Sequence, residues 1–120
     1  MTSLLLVSAL MVGEPTAKQL PLLKTFREEF VTVTPGQGRY PQSFTMGAKG
    51  GATPAEQPAH QVTFRYRFQI AKYEVPQNLW EAVMGSNPSR WKGPRNSVEM
   101  LSFEEAELFC KKLTQLLRSA

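Results

Sequence analysis

Between Val62 and Ile70 the chain alternates apolar and polar side chains without a break: Val62, Phe64, Tyr66, Phe68 and Ile70 against Thr63, Arg65, Arg67 and Gln69. A period of two sends successive side chains to opposite faces, so the stretch predicts a β-strand with one buried and one wet face. Arg65 and Arg67 fall on the wet face, where a cation keeps its water; an anion or partner contact is the alternative reading. Such a strand needs at least two more paired strands and an apolar layer beneath it.

The rest of the chain offers few candidates. Phe30 to Thr34 is β-rich and is stopped by Pro35-Gly36, and Phe44-Thr45-Met46 is a second short apolar run beyond a polar loop from Gln37 to Ser43. Gly47, Gly50, Gly51, Pro54 and Pro58 then predict a turn-rich segment that neither a helix nor a central strand would tolerate. Upstream, Lys18 to Glu29 has weak amphipathic character in Leu22, Leu23, Phe26 and the following Phe30, interrupted by Pro21, and reads as a connector of one or two helical turns.

Two helices are expected. Pro76 can open the first, because its missing N–H has no partner in a first turn, and the helix then runs from Asn78 to about Met84. It should bury Leu79, Trp80, Val83 and Met84 and stop at Gly85, with Trp80 in the core rather than serving as a ligand platform. Ser102 and Glu105 form a capping box for the second, whose apolar stripe is Ala106, Phe109, Cys110, Leu113, Leu116 and Leu117. Cys110 on that stripe should behave as a small buried hydrophobe. Between the helices, turn signals at Asn87-Pro88-Ser89 and Gly93-Pro94 surround Trp91. A buried Trp91 should pin this loop, although Arg90, Lys92 and Arg95 around the aromatic also suit a phosphate or sugar.

These elements predict one α+β domain with short antiparallel strands and two helices. Its core is under-supplied. An unpaired edge and uncovered Leu113, Leu116 and Leu117 would favour self-association through apolar surface.

The residue inventory narrows the chemistry. All ten acids among the 120 residues are glutamates, so no Asp-rich calcium loop or Asp-based triad can form. One cysteine excludes an internal disulfide and a multi-cysteine zinc site, and one histidine, His60, excludes a His-based metal centre. His60 reads as a structural residue where loop becomes strand. The net charge of +4 comes from basic residues scattered from Lys18 to Arg118, which is not a nucleic-acid footprint. The apolar run Leu4 to Val12 is too short to span a bilayer and has no preceding Lys or Arg, so a cytoplasmic location is favoured over export through this weakly signal-like start.

An ordered series of segments resembles the N-terminal half of the sulfatase-modifying factor, or formylglycine-generating enzyme, family. It begins with Phe44-Thr45-Met46-Gly47, continues through Glu56, Pro58, His60 and Val62 at alternate positions, and then Phe68-Gln69-Ile70-Ala71-Lys72-Tyr73-Glu74-Val75. Next come Trp80-Glu81-Ala82-Val83-Met84-Gly85-Ser86-Asn87-Pro88-Ser89-Arg90-Trp91-Lys92-Gly93, then Val98 to Phe103, and finally Glu105-Ala106 with Phe109-Cys110. The likeness runs from about residue 30 to 118, leaving 1–29 as a leader, signal-like segment and connector. Pro76 stands where the family usually has a capping Thr or Ser, and Phe103 where it usually has Trp.

The resemblance implies an irregular, C-type-lectin-like fold and kinship with oxygen- and copper-dependent oxidoreductases that convert a sulfatase cysteine to formylglycine. It also implies a truncated domain. The family's calcium ligands, copper-binding cysteine pair and substrate cleft lie in its other half, and Cys110 matches neither cysteine of that pair. Copper and calcium are therefore expected only in a complete member, and a sulfatase or other protein substrate would be a partner only of such a member. Iron-dependent relatives need several histidines, which this chain lacks. The chain by itself is expected to be inactive; a non-catalytic lectin-like binding module and a nonfunctional gene fragment are the alternatives.

Overall fold

The computed structural model describes residues 13–50 and 53–120. The run Leu4 to Val12 and Gly51 of the turn-rich segment lie outside the described residues. The elements follow as α1 (Gln19–Glu28), β1 (Phe30–Val33), β2 (Ser43–Met46), a 3₁₀ turn (Pro54–Glu56), β3 (His60–Thr63), β4 (Phe68–Ala71), α2 (Gln77–Met84) and α3 (Phe103–Ser119). The class is α+β. Residues 30–72 form one compact unit, and the described residues before 30 join 73–120 in another.

The strand unit holds two antiparallel ribbons. β1 pairs with β4, Phe30 opposite Ala71 and Val33 opposite Phe68, while β2 pairs with β3, Ser43 opposite Thr63 and Met46 opposite His60. The nine alternating residues are therefore not one strand. β3 ends at Thr63 and β4 begins at Phe68, because the chain changes partners between them and residues 64–67 make the crossing. At the crossing the Phe64 N–H donates to the Gln42 carbonyl at 2.9 Å. The Phe64 ring lies 6.0 Å from Phe44 and 5.3 Å from Phe68, an aromatic corner that holds the bend. The expected single buried face is corrected with it: Tyr66 and Ile70 are exposed, as are Arg65 and Arg67.

The helical unit carries the core. Leu23 and Phe26 of α1, Leu79 and Trp80 of α2, and Phe109, Leu113 and Leu116 of α3 are buried. Trp80 and Phe109 stack with centroids 4.8 Å apart. Three helices stand where two were expected, since the segment read as a connector is a ten-residue helix. Pro21 is its third residue, a position whose N–H has no helical acceptor, so the proline removes no hydrogen bond. Leu23 and Phe26, read as weakly amphipathic in a connector, are buried and supply core surface. The expected exposure of Leu113 and Leu116 is corrected accordingly, and Leu117 is half-buried.

Three local expectations also change. Pro76 sits one position before the helix, as an N-cap with extended ψ of 151°, and α2 begins at Gln77. Val83 and Met84 are half-buried rather than core, because α2 turns only Leu79, Trp80 and Gln77 fully inward. Within the turn-rich segment, Thr53 and Glu56 close a capping box over one 3₁₀ turn. Gly85 ends α2 at φ 85°, the left-handed conformation expected of it.

Candidate functional site

The best-organised polar site surrounds Gln77, the first residue of α2 and 1% exposed. Its Nε2 donates to the carbonyls of Trp91 at 2.8 Å and Ser97 at 3.2 Å. Its Oε1 accepts from Asn87 Nδ2 at 3.0 Å and from the Gly93 N–H at 3.1 Å. Both donors and both acceptor positions of one amide are thus used, which is what a buried amide requires. The Gln77 N–H itself donates to the Asn96 carbonyl, so the loop after α2 is bound to its first turn from both sides.

A second set of bonds extends the network. Asn87 Oδ1 accepts from the Ser89 N–H at 3.0 Å, and Ser89 Oγ, in a side chain 2% exposed, accepts from the Glu99 N–H at 3.1 Å. The Glu99 carboxylate turns inward to accept from the N–H groups of Arg90 at 2.5 Å and Trp91 at 3.1 Å. Lys92 Nζ donates to the Asn87 carbonyl at 2.7 Å. Gln77, Asn78, Glu81, Asn87, Lys92 and Gly93 line a cleft of about 390 Å³.

This architecture corrects the role expected of Trp91. Its side chain is 67% exposed, with the Arg90 guanidinium 5.4 Å from the ring centroid, and its backbone carbonyl, not its indole, anchors the loop. Gln77 and Ser89 were missed as site residues. A buried glutamine leaves no periodic signature, and glutamine is usually exposed.

The singled-out residues Met46, Gly47, Glu56, Pro58 and His60 gather at one end of the β2–β3 ribbon. Met46 pairs with His60, His60 Nδ1 lies 2.9 Å from the Pro58 carbonyl, and the Ala48 N–H donates to the Glu56 carbonyl at 2.9 Å. Gly47 has φ 88°, and a Cβ there would stand 2.5 Å from the Glu56 carbonyl oxygen. Only glycine lets the backbone come this close.

In the helical unit Tyr73 and Glu74, with Glu29, Arg95 and Ser97, line a cavity of about 460 Å³, in which Arg95 pairs with Glu29 at 2.5 Å and lies 5.9 Å from the Tyr73 ring centroid. Trp80 and Phe109 are stacked in the core, Met84 and Gly85 close α2, and exposed Pro88 follows Asn87 in the network loop. Ser102 Oγ accepts from the Glu105 N–H at 3.2 Å, with the Glu105 carboxylate returning to the Ser102 N–H at 2.7 Å. Ala106 is half-buried, but Cys110 is exposed, contrary to expectation. The buried stripe centres on Phe109, Leu113 and Leu116, and one residue on from Phe109 rotates by about 100°, out of the contact.

Among the described residues no group of three or more His, Cys, Asp or Glu could hold a metal ion, and no helix is long and apolar enough to cross a membrane. What the network does chemically is hold a loop.

The chain is similar to a curated protein described as chaperone protein LppX, from Paenibacillus barcinonensis, with 46% identity over 43 residues. That stretch covers 36% of this chain and spans 15% of the relative's length. No family model matches the chain, and no solved structure matches it.

Proposed function

We propose that the chain is the N-terminal portion of a sulfatase-modifying factor domain and supplies frame rather than reacting groups. The supporting observation is the use to which the motif residues are put. Asn87, Ser89, Trp91, Gly93 and Glu99, all from the resembling segments, close one hydrogen-bond network on Gln77. Each of these residues thus has a structural partner within the chain. Cysteine-to-formylglycine oxidation, copper and calcium binding and a lectin-like completed fold then belong to an assembly that includes the family's other half. A sulfatase or another cysteine-bearing protein would be the substrate of that assembly, and nucleic acid would not be a partner.

The test is aldehyde formation on a cysteine-containing sulfatase peptide, read by hydrazide labelling in air with copper. The chain alone should give no aldehyde, while the chain mixed with the C-terminal half of a family member should give it. Aldehyde from the chain alone would overturn the frame reading; none from any mixture would remove the family reading.

A second reading, a non-catalytic binding module, is favoured by one feature, the exposed Trp91 ring beside Arg90. The chaperone description of the similar protein is compatible with it. Saturable binding of a peptide or glycan, lost in Trp91→Ala, would support this reading.

A further inference from the structure

We propose that the turn Arg90–Lys92 and the outer face of the first turns of α3 form one self-complementary docking face, on which a second copy of this chain sits about a two-fold axis. This inference stands on surface chemistry and does not depend on the catalytic kinship.

Four large apolar side chains are exposed on the turn, on α3 and between them: Trp91 is 67% exposed, Met100 71%, Phe103 74% and Leu108 39%. Met100 is held at φ 63°, a conformation L side chains rarely adopt, while its neighbour Glu99 is fastened to the Arg90 and Trp91 amides. Those bonds set the basic turn against residue 99. Phe103 follows Glu99 by four residues, so the start of α3 lies within a reach of about 14 Å of the residue that fastens the turn.

The two neighbouring patches carry opposite charge. Arg90 and Lys92 are exposed on the turn, Lys92 keeping its charge while its Nζ donates to the neutral Asn87 carbonyl, and the only acid between residues 82 and 103 is Glu99, whose carboxylate is occupied by backbone N–H groups. On α3, Glu104 and Glu107 are exposed one helical turn apart, on the side opposite Phe109, Leu113 and Leu116. A two-fold axis between such patches lays each basic turn on the partner's acidic helix face, and the same contact forms twice. Trp91 and Phe103 are the residue types that anchor interface centres. A uniformly acidic partner would match Arg90 and Lys92 but meet Glu104 and Glu107 as like charges, which selects against it.

The experiment is sedimentation equilibrium on the 120-residue chain, with the emission of buried Trp80 and circular dichroism verifying the fold of each variant. The chain should be in monomer–dimer equilibrium, weaker at high salt, and Trp91→Ala should raise the dissociation constant about tenfold or more. The pair Arg90→Glu with Lys92→Glu makes the face wholly acidic, and Glu104→Lys with Glu107→Lys makes it wholly basic. Each variant alone should be monomeric, and an equimolar mixture should form the heterodimer. A wild-type monomer at low salt, a dimer indifferent to these substitutions, open-ended polymer, or folded variants that fail to pair would overturn the proposal.

Discussion

The Gln77 amide and the Trp91 carbonyl, fourteen residues apart, are joined by a 2.8 Å hydrogen bond that closes a loop onto the first turn of α2. The same buried side chain also binds Ser97, Asn87 and Gly93, so four of the loop's bonds converge on one amide. Gln77→Leu keeps similar volume but strands these partners. With each unsatisfied buried group costing about 1–3 kcal/mol, partly relieved by entering water, the expected loss is about 3 kcal/mol. Urea unfolding of the variant reads it as a lower midpoint with the slope unchanged.

Phe109→Ala removes the ring stacked on Trp80 and leaves a cavity where α2 meets α3. The loss should be about 3–5 kcal/mol, with red-shifted Trp80 emission before global unfolding. Denaturant titration followed by fluorescence checks both.

Trp80 is 3% exposed and Trp91 67%, so the two indoles report different places. In the monomer, at high salt and low concentration, acrylamide should quench one fraction of the emission readily and spare the other, and Trp91→Phe should remove the accessible fraction. Two equally quenched populations would contradict this arrangement.

Ser102→Ala deletes the oxygen that accepts the Glu105 N–H and leaves only the reciprocal half of the capping box, the Glu105 carboxylate accepting from the residue-102 N–H. A destabilisation of about 1 kcal/mol is expected, with restoration to within a few tenths in Ser102→Asn. Thermal melts of the two variants decide it.

Gly47→Ala places a Cβ against the Glu56 carbonyl oxygen at a positive φ. The strand unit must shift or strain, at about 1–3 kcal/mol, and amide exchange should accelerate in residues 43–63 but not in α3.

Local signals were legible where a rule acts within a few residues. The capping box at Ser102 and the left-handed stop at Gly85 stand as read, and the short strands read at Phe30–Thr34 and Phe44–Met46 form within one residue of those bounds, because each depends on its own neighbours. The site was half legible. Asn87 and Trp91 of the network were singled out, but Gln77 at its centre was not, since its value lies in partners up to twenty residues away.

By itself the sequence determined the mixed class, the positions of most elements and the poverty of catalytic groups, since propensity, capping and residue counts are properties of short segments or of composition. Tertiary structure decided what those segments meet. It broke the alternating run Val62–Ile70 between two ribbons, brought Leu23 and Phe26 of α1 into the core with Leu113 and Leu116, and left Cys110 and Trp91 in water. An apolar periodicity states that a face can be buried; only the available neighbours determine which of its residues are.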